Sequence, residues 1–158
     1  MINQGTLTEL ATFQVGEALC GMAIGQIQEI SMLTQMTRVP QAPEDVVGLI
    51  NLRGQIVTVI DLARRFGLGA TEPTSQARVI VANTSVGKIG VLVRRISEMV
   101  AVDLLQTETV PSDMCGIPGR YFTGICKQEN SRIGLLHIDK ALFDDNESDG
   151  RIMLPPRN

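Results

Sequence analysis

The sequence is poor in aromatic residues and in positive charge. Among its 158 residues there are no tryptophans, one tyrosine and four phenylalanines, and the formal net charge is -3. Nucleic acids attract basic surfaces through their phosphates, and single strands stack their bases on aromatic side chains. Because the chain offers little of either, its composition predicts no nucleic-acid partner.

Cysteine and histidine are also few. The three cysteines, Cys20, Cys115 and Cys126, form no C-x-x-C pair, and their odd number argues against a disulfide framework and favours a reducing cytosol. His137 is the single histidine, and the sequence has no phosphate-binding or dinucleotide-binding glycine motif. We therefore predict no metal, no cofactor and no catalytic residues. The remote alternative, a small hydrolase with a Cys–His pair, would need a deep pocket that joins His137 to a cysteine.

Long apolar runs are missing as well. No stretch approaches the roughly 18 apolar residues that a membrane helix needs. Residues 1–5 lack the positive charge of a targeting signal, and no apolar segment follows them. The sequence thus predicts a cytoplasmic protein with no direct membrane contact, which would reach a membrane only through a partner.

The chain instead contains short segments in which apolar and polar residues alternate, as is typical of β-strands. In the first half of the chain, these segments are residues 10–15, 19–24, 47–52 and 55–60. The last two segments flank Arg53-Gly54. They predict a hairpin with Arg53 exposed at its tip and Gly54 at positive φ. Asp61 is expected to cap a short helix. Ile27 and Ile30 fit either a short helix or a bent strand.

The second half repeats this order of features. Residues 20–24 align with residues 89–93, and residues 48–50 align with residues 124–126. Asp61 aligns with Asp139, which is expected to cap a second short helix. The second hairpin is predicted to be two residues longer, with residues 128–131 at its turn.

A repeat of this length predicts an all-β fold: two packed, five-stranded, SH3-like β-barrels from an internal duplication, with short capping helices. The predicted domain spans residues 8–145, divided into sub-barrels at about 8–75 and 76–145. Residues 146–158 are predicted to be a flexible tail.

Four motifs in this order carry a resemblance to a known family: Gln-Ile-Gln-Glu-Ile at 26–30, Thr-Arg-Val-Pro at 37–40, Val-Gly-Leu-Ile-Asn-Leu-Arg-Gly at 47–54 and Val-Ile-Asp-Leu at 59–62. The Asn-Leu-Arg-Gly run, followed by an apolar strand and Ile-Asp-Leu, is the most specific part. Over about residues 10–143, the sequence resembles the CheW family.

This resemblance implies the same pair of barrels and a non-catalytic adaptor. The implied partners are the regulatory domain of a CheA-type histidine kinase and the cytoplasmic tip of methyl-accepting chemoreceptors, with adaptor self-association in extended arrays. The protein would be cytoplasmic and recruited to these receptor arrays. The alternative within the family is an adaptor of a pilus-motility or other chemotaxis-like pathway.

The first group of candidate partner-binding residues is the hairpin tip, with Asn51, Arg53 and Gly54. The resemblance implies that Arg53 helps to hold receptor and kinase. Because the second hairpin has no Arg-Gly pair, the repeat does not require Arg53 for folding. Arg53 is the strongest candidate in the sequence, since the planar guanidinium would orient a partner as well as attract it.

The second group is apolar and consists of Ile27, Ile30, Ile96 and Met99, which occupy equivalent places in the two repeats. We hypothesise that these residues line a groove between the barrels, where a receptor helix would dock through spaced apolar anchors. The alternative is that they are core residues, because an isoleucine is usually buried for packing.

Overall fold

Residues 7–143 are described by the computed structural model, and they are mostly β-strand. The elements are β1 (Leu7–Val15), β2 (Ala18–Ala23), β3 (Ile27–Met32), β4 (Val46–Leu52), β5 (Gln55–Asp61), α1 (Leu62–Arg65), β6 (Arg78–Thr84), β7 (Gly87–Val93), β8 (Arg95–Asp103), β9 (Asp113–Met114), β10 (Ile117–Pro118), β11 (Phe122–Gln128), β12 (Ser131–Leu136) and α2 (Ile138–Phe143). The predicted tail at 146–158 lies outside the described residues. The all-β prediction is confirmed.

The fold is built around two five-stranded sheets. One, in the order β3-β6-β7-β5-β4, is built from consecutive strands, and we call it the contiguous barrel. The other, in the order β11-β12-β2-β1-β8, draws strands from both ends of the chain, and we call it the split barrel. Strands β9 and β10 form a separate small hairpin.

The two repeats exchange their first hairpins. Strands β1 and β2 pair with β8 and β12, while β6 and β7, their equivalents in the second repeat, pair with β3 and β5. Each barrel therefore contains two strands from one repeat and three from the other. The predicted division into sub-barrels at 8–75 and 76–145 does not follow these sheets, because strand partners are chosen by non-local packing that a linear repeat does not reveal.

A short backbone bridge joins the two edges of each sheet. In the contiguous barrel, Thr37, which follows β3, exchanges two hydrogen bonds of 2.9 and 2.8 Å with Leu49 on β4. In the split barrel, Glu108, which follows β8, exchanges two bonds of 2.8 and 3.1 Å with Ile125 on β11. These bridges cover the edge strands, as in a closed barrel.

Glycines make both bridges sterically feasible. A Cβ on Gly48 would lie 2.9 Å from the Thr37 carbonyl oxygen, and a Cβ on Gly124 would lie 3.0 Å from Thr107. The strand register also shifts beside each glycine, as at a β-bulge. The match of residues 48–50 with residues 124–126 therefore reflects the same backbone feature built twice.

A central core lies between the barrels. Its largest fully buried side chains include Phe13, Met22, Ile60, Ile80 and Leu142. Each barrel also has its own small interior cluster, formed in the contiguous barrel around Val57, Val79 and Leu92 and in the split barrel around Leu10, Cys126 and Ile133. Burial of the central core fixes the two barrels against each other, because removing this apolar surface from water is the main favourable term in folding.

The first helix cap forms as predicted, but the second does not. The Asp61 carboxylate accepts the Ala63 N–H at the start of α1. Asp139, however, lies inside α2 and accepts the Ser85 N–H at 3.0 Å. His137 takes the capping position instead, because its Nδ1 accepts the Lys140 N–H at 3.2 Å. The prediction that Asp139 caps α2 was wrong by two positions.

The second hairpin has the same length as the first. Gln128 pairs with Ser131, so the turn consists of Glu129 and Asn130 alone. Leu52 and Gln55 pair in the same way around Arg53-Gly54. The predicted two-residue extension was wrong, and Glu129 is the structural equivalent of Arg53.

Candidate interaction surface

The tip of the β4–β5 hairpin is a tight, exposed two-residue turn. Arg53 and Gly54 have φ angles of 53° and 86°, and positive φ at both positions is typical of a type I′ turn. The Asn51 side-chain oxygen accepts the Gly54 N–H at 3.0 Å. Asn51 and Gly54 thus shape the turn that presents Arg53.

Arg53 projects into solvent and pairs with a neighbouring strand. Its side chain is 84% exposed, and its Nε lies 3.4 Å from Oε1 of Glu29 on β3. An exposed pair of this kind contributes about 0–1 kcal/mol to stability, because solvent screens it. The pair therefore orients the guanidinium more than it stabilises the fold.

A small cleft of about 180 Å³ surrounds this ion pair. Beside Arg53 and Glu29, it is lined by Gln28, Gln55 and Lys88, and the Lys88 Nζ donates to the Gln55 side-chain oxygen at 3.1 Å. The mouth of the contiguous barrel is thus polar, with two cations and one carboxylate at its rim. Glu29 was not among the predicted site residues, although its repetition at Glu98 was a signal that could have identified it.

The equivalent mouth of the split barrel has the opposite charge. Glu98 stands where Glu29 stands in the first repeat, and Glu129 stands where Arg53 does. Both line a wider cleft of about 770 Å³ together with Gln14, Arg95 and Asn130. Two barrels of the same architecture therefore present ends of different charge and width, so a partner can distinguish one end from the other.

The apolar candidates are placed less uniformly. Ile27, Ile30 and Ile96 are half-buried and pack against the central core. Ile27 and Ile30 lie on β3, which settles the choice between a helix and a bent strand in favour of the strand. Met99, on β8, is 52% exposed. The first three residues thus contribute to packing between the barrels while keeping part of their surface accessible, and Met99 is the most accessible of the four.

The cysteines and the histidine do not form a catalytic pair among the described residues. Cys20 and Cys126 are buried, and burial raises the pKa of the Cys20 thiol to about 12 and also raises the pKa of the Cys126 thiol. Cys115 is exposed at the turn between β9 and β10. His137 lines a cleft of about 190 Å³ to which no cysteine contributes. The pocket that a Cys–His hydrolase would need is therefore not formed.

This burial predicts that one thiol of three reacts quickly with a disulfide reagent. The thiolate is the reacting species, so Cys115 should react within minutes at pH 8, whereas Cys20 and Cys126 should react only after unfolding. Spectroscopic titration of released thionitrobenzoate, before and after addition of guanidinium chloride, measures this directly. Cys115→Ser should abolish the fast phase, and a fast phase of three equivalents would contradict the buried placement of the other two.

Two further features are lacking in the described part of the chain. Across residues 7–143, no three histidine, cysteine, aspartate or glutamate side chains come together as metal ligands. Within the same residues, the helices are too short and too polar to cross a membrane.

A duplicated barrel whose two mouths are polar and differently charged offers two distinct surfaces for protein–protein contacts, as a scaffolding protein requires. Comparison with known proteins agrees, since the model of the CheW-like domain family matches residues 9–146. The chain belongs to the CheW family, whose members are non-catalytic adaptors in chemotaxis.

Individual relatives are similar over most of their length. The chemotaxis protein CheW of Treponema pallidum is 33% identical over 143 residues, which cover 88% of this chain and 84% of that protein. The probable chemotaxis protein CheW of Rhizobium etli is 31% identical, with 94% of each chain covered. The crystal structure of the scaffolding protein TtCheW from Thermoanaerobacter tengcongensis superposes with a TM-score of 0.80 at 29% identity, with 92% of each chain covered.

Proposed function

We propose that this protein couples the cytoplasmic tips of chemoreceptors to a CheA-type histidine kinase. The observation that carries the proposal is Arg53 itself. The hairpin turn of the split barrel forms equally well with Glu129 at the same position, so the turn does not require an arginine. A long cationic side chain that is 84% exposed and dispensable for its turn is suited to contact a partner.

The two barrels offer separate surfaces for the two partners. The kinase regulatory domain would bind at the mouth of the contiguous barrel, where Arg53 is held by Glu29. The receptor tip would dock along the half-buried Ile27, Ile30 and Ile96 and the exposed Met99, which offer the apolar anchors that helix-in-groove binding uses. The unlike barrel ends would also support adaptor self-association, since their charges are complementary.

The same reasoning gives a cellular location. The adaptor would work in the cytoplasm and be recruited to receptor arrays through its protein partners, without touching lipid or nucleic acid. Its acidic composition suits neither an anionic membrane surface nor a phosphate backbone.

Titration calorimetry of the protein with the C-terminal regulatory domain of the CheA-type kinase from the same cell tests the proposal. We expect clear binding by the wild type and a ten- to hundredfold weaker affinity for Arg53→Ala, since an arginine that anchors an interface contributes on the order of 1–3 kcal/mol. Arg132→Ala is the matched control, because Arg132 is an exposed arginine next to the turn of the equivalent hairpin, and its Nη2 lies 3.8 Å from the carboxylate of Glu108.

The outcomes separate the parts of the proposal. No binding by the wild type would overturn the coupling function, although the fold and the family would stand. Equal binding by Arg53→Ala and the wild type would remove Arg53 from the kinase surface. Equal losses for Arg53→Ala and Arg132→Ala would mean that general charge, and not the hairpin tip, supports the interaction.

A further inference from the structure

Two adjacent leucines are exposed in a short turn at the end of β8. Leu104 and Leu105 lie in a 3-10 turn, Leu104–Gln106, which we call the leucine turn, and Leu105 is 79% exposed. The Oδ1 atom of Asp103 accepts the Leu105 N–H at 2.9 Å and caps the turn. The leucine turn therefore holds a contiguous apolar surface in water, where such surface is unfavourable.

The first repeat has a polar residue in the place of Leu105. Four residues separate β3 from its bridge to β4, and four residues separate β8 from its bridge to β11. In this register Leu33 is equivalent to Leu104, and Thr34 is equivalent to Leu105. Leu33 packs against the interior cluster of the contiguous barrel, whereas Thr34 is exposed. The fold therefore accepts a polar residue at this position, and packing within the chain does not account for Leu105.

A cleft of about 190 Å³ opens beside the leucine turn. Leu104, Ala23 and His137 are among the residues that line it, and Leu105 is not. The cleft lies where β2 and β12 diverge, because these strands pair through two residue pairs, whereas the equivalent strands β7 and β5 pair through four. An apolar cavity of about 150 Å³ can hold a benzene molecule, so this cleft has room for one leucine side chain.

The charges beside the cleft are complementary. The leucine turn follows Asp103, and the start of α2, on the cleft, carries the exposed Lys140. The carboxylate of Asp139, which also lines the cleft, accepts the Ser85 N–H at 3.0 Å. A twofold axis brings the same patch of two copies together, so the leucine turn of one copy can face the α2 of the other. Asp103 of each copy then lies near Lys140 of the other.

We propose that two copies of this chain associate symmetrically at this end of the split barrel, with Leu105 of each copy inserted into the cleft of the other. The second copy fits as the occupant because one patch carries both the exposed side chain and a cleft of matching size, with opposite charges beside them. This contact differs from association through the barrel mouths, since it uses neither Arg53 nor Glu129. It does not depend on the proposed coupling of receptor and kinase.

Sedimentation equilibrium of the full chain tests the association. We expect a monomer at about 5 µM and mostly a dimer at about 500 µM, because small interfaces form weak complexes. Leu105→Thr, the residue type of the equivalent position, should weaken the dimer about tenfold or more, since an inserted anchor is lost. Lys140→Glu should also weaken it, because it brings two acidic groups together.

Met32→Thr is the matched control. Met32 is 63% exposed at the end of β3 in the contiguous barrel, so this variant removes a comparable apolar side chain at a distance from the cleft. We expect its dimer to be as stable as that of the wild type. Urea denaturation of Leu105→Thr and Met32→Thr, with unchanged midpoints, checks that both variants are folded.

Isotope-filtered NMR of an equal mixture of methyl-labelled and unlabelled copies locates the contact. We expect cross-relaxation between the Leu105 methyl groups of one copy and the Ala23 methyl group of the other, since Ala23 lines the cleft. These signals, with a dimer that Leu105→Thr weakens and Met32→Thr does not, would establish the proposal.

The remaining outcomes would overturn it. These are a chain that stays monomeric at about 500 µM, equal weakening by Leu105→Thr and Met32→Thr, and a dimer without cross-relaxation between Leu105 and Ala23. A dimer that is unaffected by Leu105→Thr would also overturn the proposal and would assign self-association to another surface, such as the barrel mouths. None of these readouts depends on binding of a kinase or a receptor.

Discussion

Replacing Asp61 with alanine is expected to lower the free energy of unfolding by about 4 kcal/mol, because a buried carboxylate that organises several hydrogen bonds is lost. One oxygen of Asp61 accepts from Ala63 N–H and the Thr71 hydroxyl, while the other accepts from Thr71 N–H. The Nε of Arg64 also lies 3.8 Å from the carboxylate. Alanine would leave these donors without their partner in a site where Asp61 is almost fully buried.

The repeat supplies the control for this prediction. His137 occupies the same capping position in the split barrel, but it is exposed, and its side-chain Nδ1 accepts the Lys140 N–H. We expect His137→Ala to cost about 1 kcal/mol or less. Urea denaturation at pH 7, with the midpoint and slope fitted for each variant, measures both changes. Similar losses for the two variants would show that Asp61 acts as a helix cap alone and that its bonds to Thr71 contribute little.

Local sequence patterns were sufficient to predict the hairpins and the exposed tip. Alternating apolar residues on both sides of Arg53-Gly54 define a two-residue turn whose backbone favours glycine, and the structure places Arg53 at that tip. The matched glycines Gly48 and Gly124 were equally informative, because close approach of a bridging segment requires the same small residue in both barrels. These features depend on neighbours within a few positions of the chain.

The exchange of hairpins between repeats could not be predicted in this way. Strand β2 pairs with β12 through residues more than a hundred positions apart, and β5 pairs with β7 in the same parallel manner. The side-chain pattern of β2 indicates which face of the strand is buried, but it does not identify the strands that pair with its two edges. The choice follows from the central core, where Phe13 and Met22 pack with Ile60 and Ile80 across the two barrels.

The prediction of the second helix cap was wrong for a chemical reason. An aspartate is the expected N-cap, so Asp139 was the natural match to Asp61. The structure uses the imidazole nitrogen of His137 as the acceptor and leaves Asp139 to bond with the turn at Ser85. Residues 48–50 align with residues 124–126, and the same spacing carried along the repeat aligns Asp61 with His137 and Arg53 with Glu129.

Within the candidate site, the sequence was sufficient to predict the exposed Arg53 but not the side chains that surround it. The ion pair joins Glu29 on β3 to Arg53 in the β4–β5 turn, so it can be identified only when the fold places β3 beside the hairpin tip. The difference in charge between the two barrel mouths could likewise be recognised only after the structure showed that Glu129 and Arg53 occupy equivalent positions. Which partner touches which mouth stays a prediction for the binding experiment above.

Replacing Gly119 with alanine is expected to destabilise the protein by about 3 kcal/mol, because the new methyl group would collide with the backbone. A Cβ on Gly119 would overlap the Pro111 carbonyl oxygen. The segment cannot simply move away, since the Gly119 N–H donates to the Ser112 carbonyl oxygen at 2.8 Å. This hydrogen bond closes the base of the β9–β10 hairpin, which leads directly into β11 of the split barrel, so its loss should loosen that barrel first.

Gly25→Ala is the matched control. Gly25 is exposed, has no heavy atom within 4 Å of its added Cβ, and lies in the short 3-10 turn after β2. Alanine there should leave stability unchanged or raise it by about 0.5 kcal/mol, because it restricts the unfolded chain. Urea denaturation of both variants, followed by amide hydrogen exchange, gives the size and the location of the effect. Equal stability of Gly119→Ala and Gly25→Ala would mean that the Pro111 loop can move aside freely, and that the closed split barrel does not depend on it.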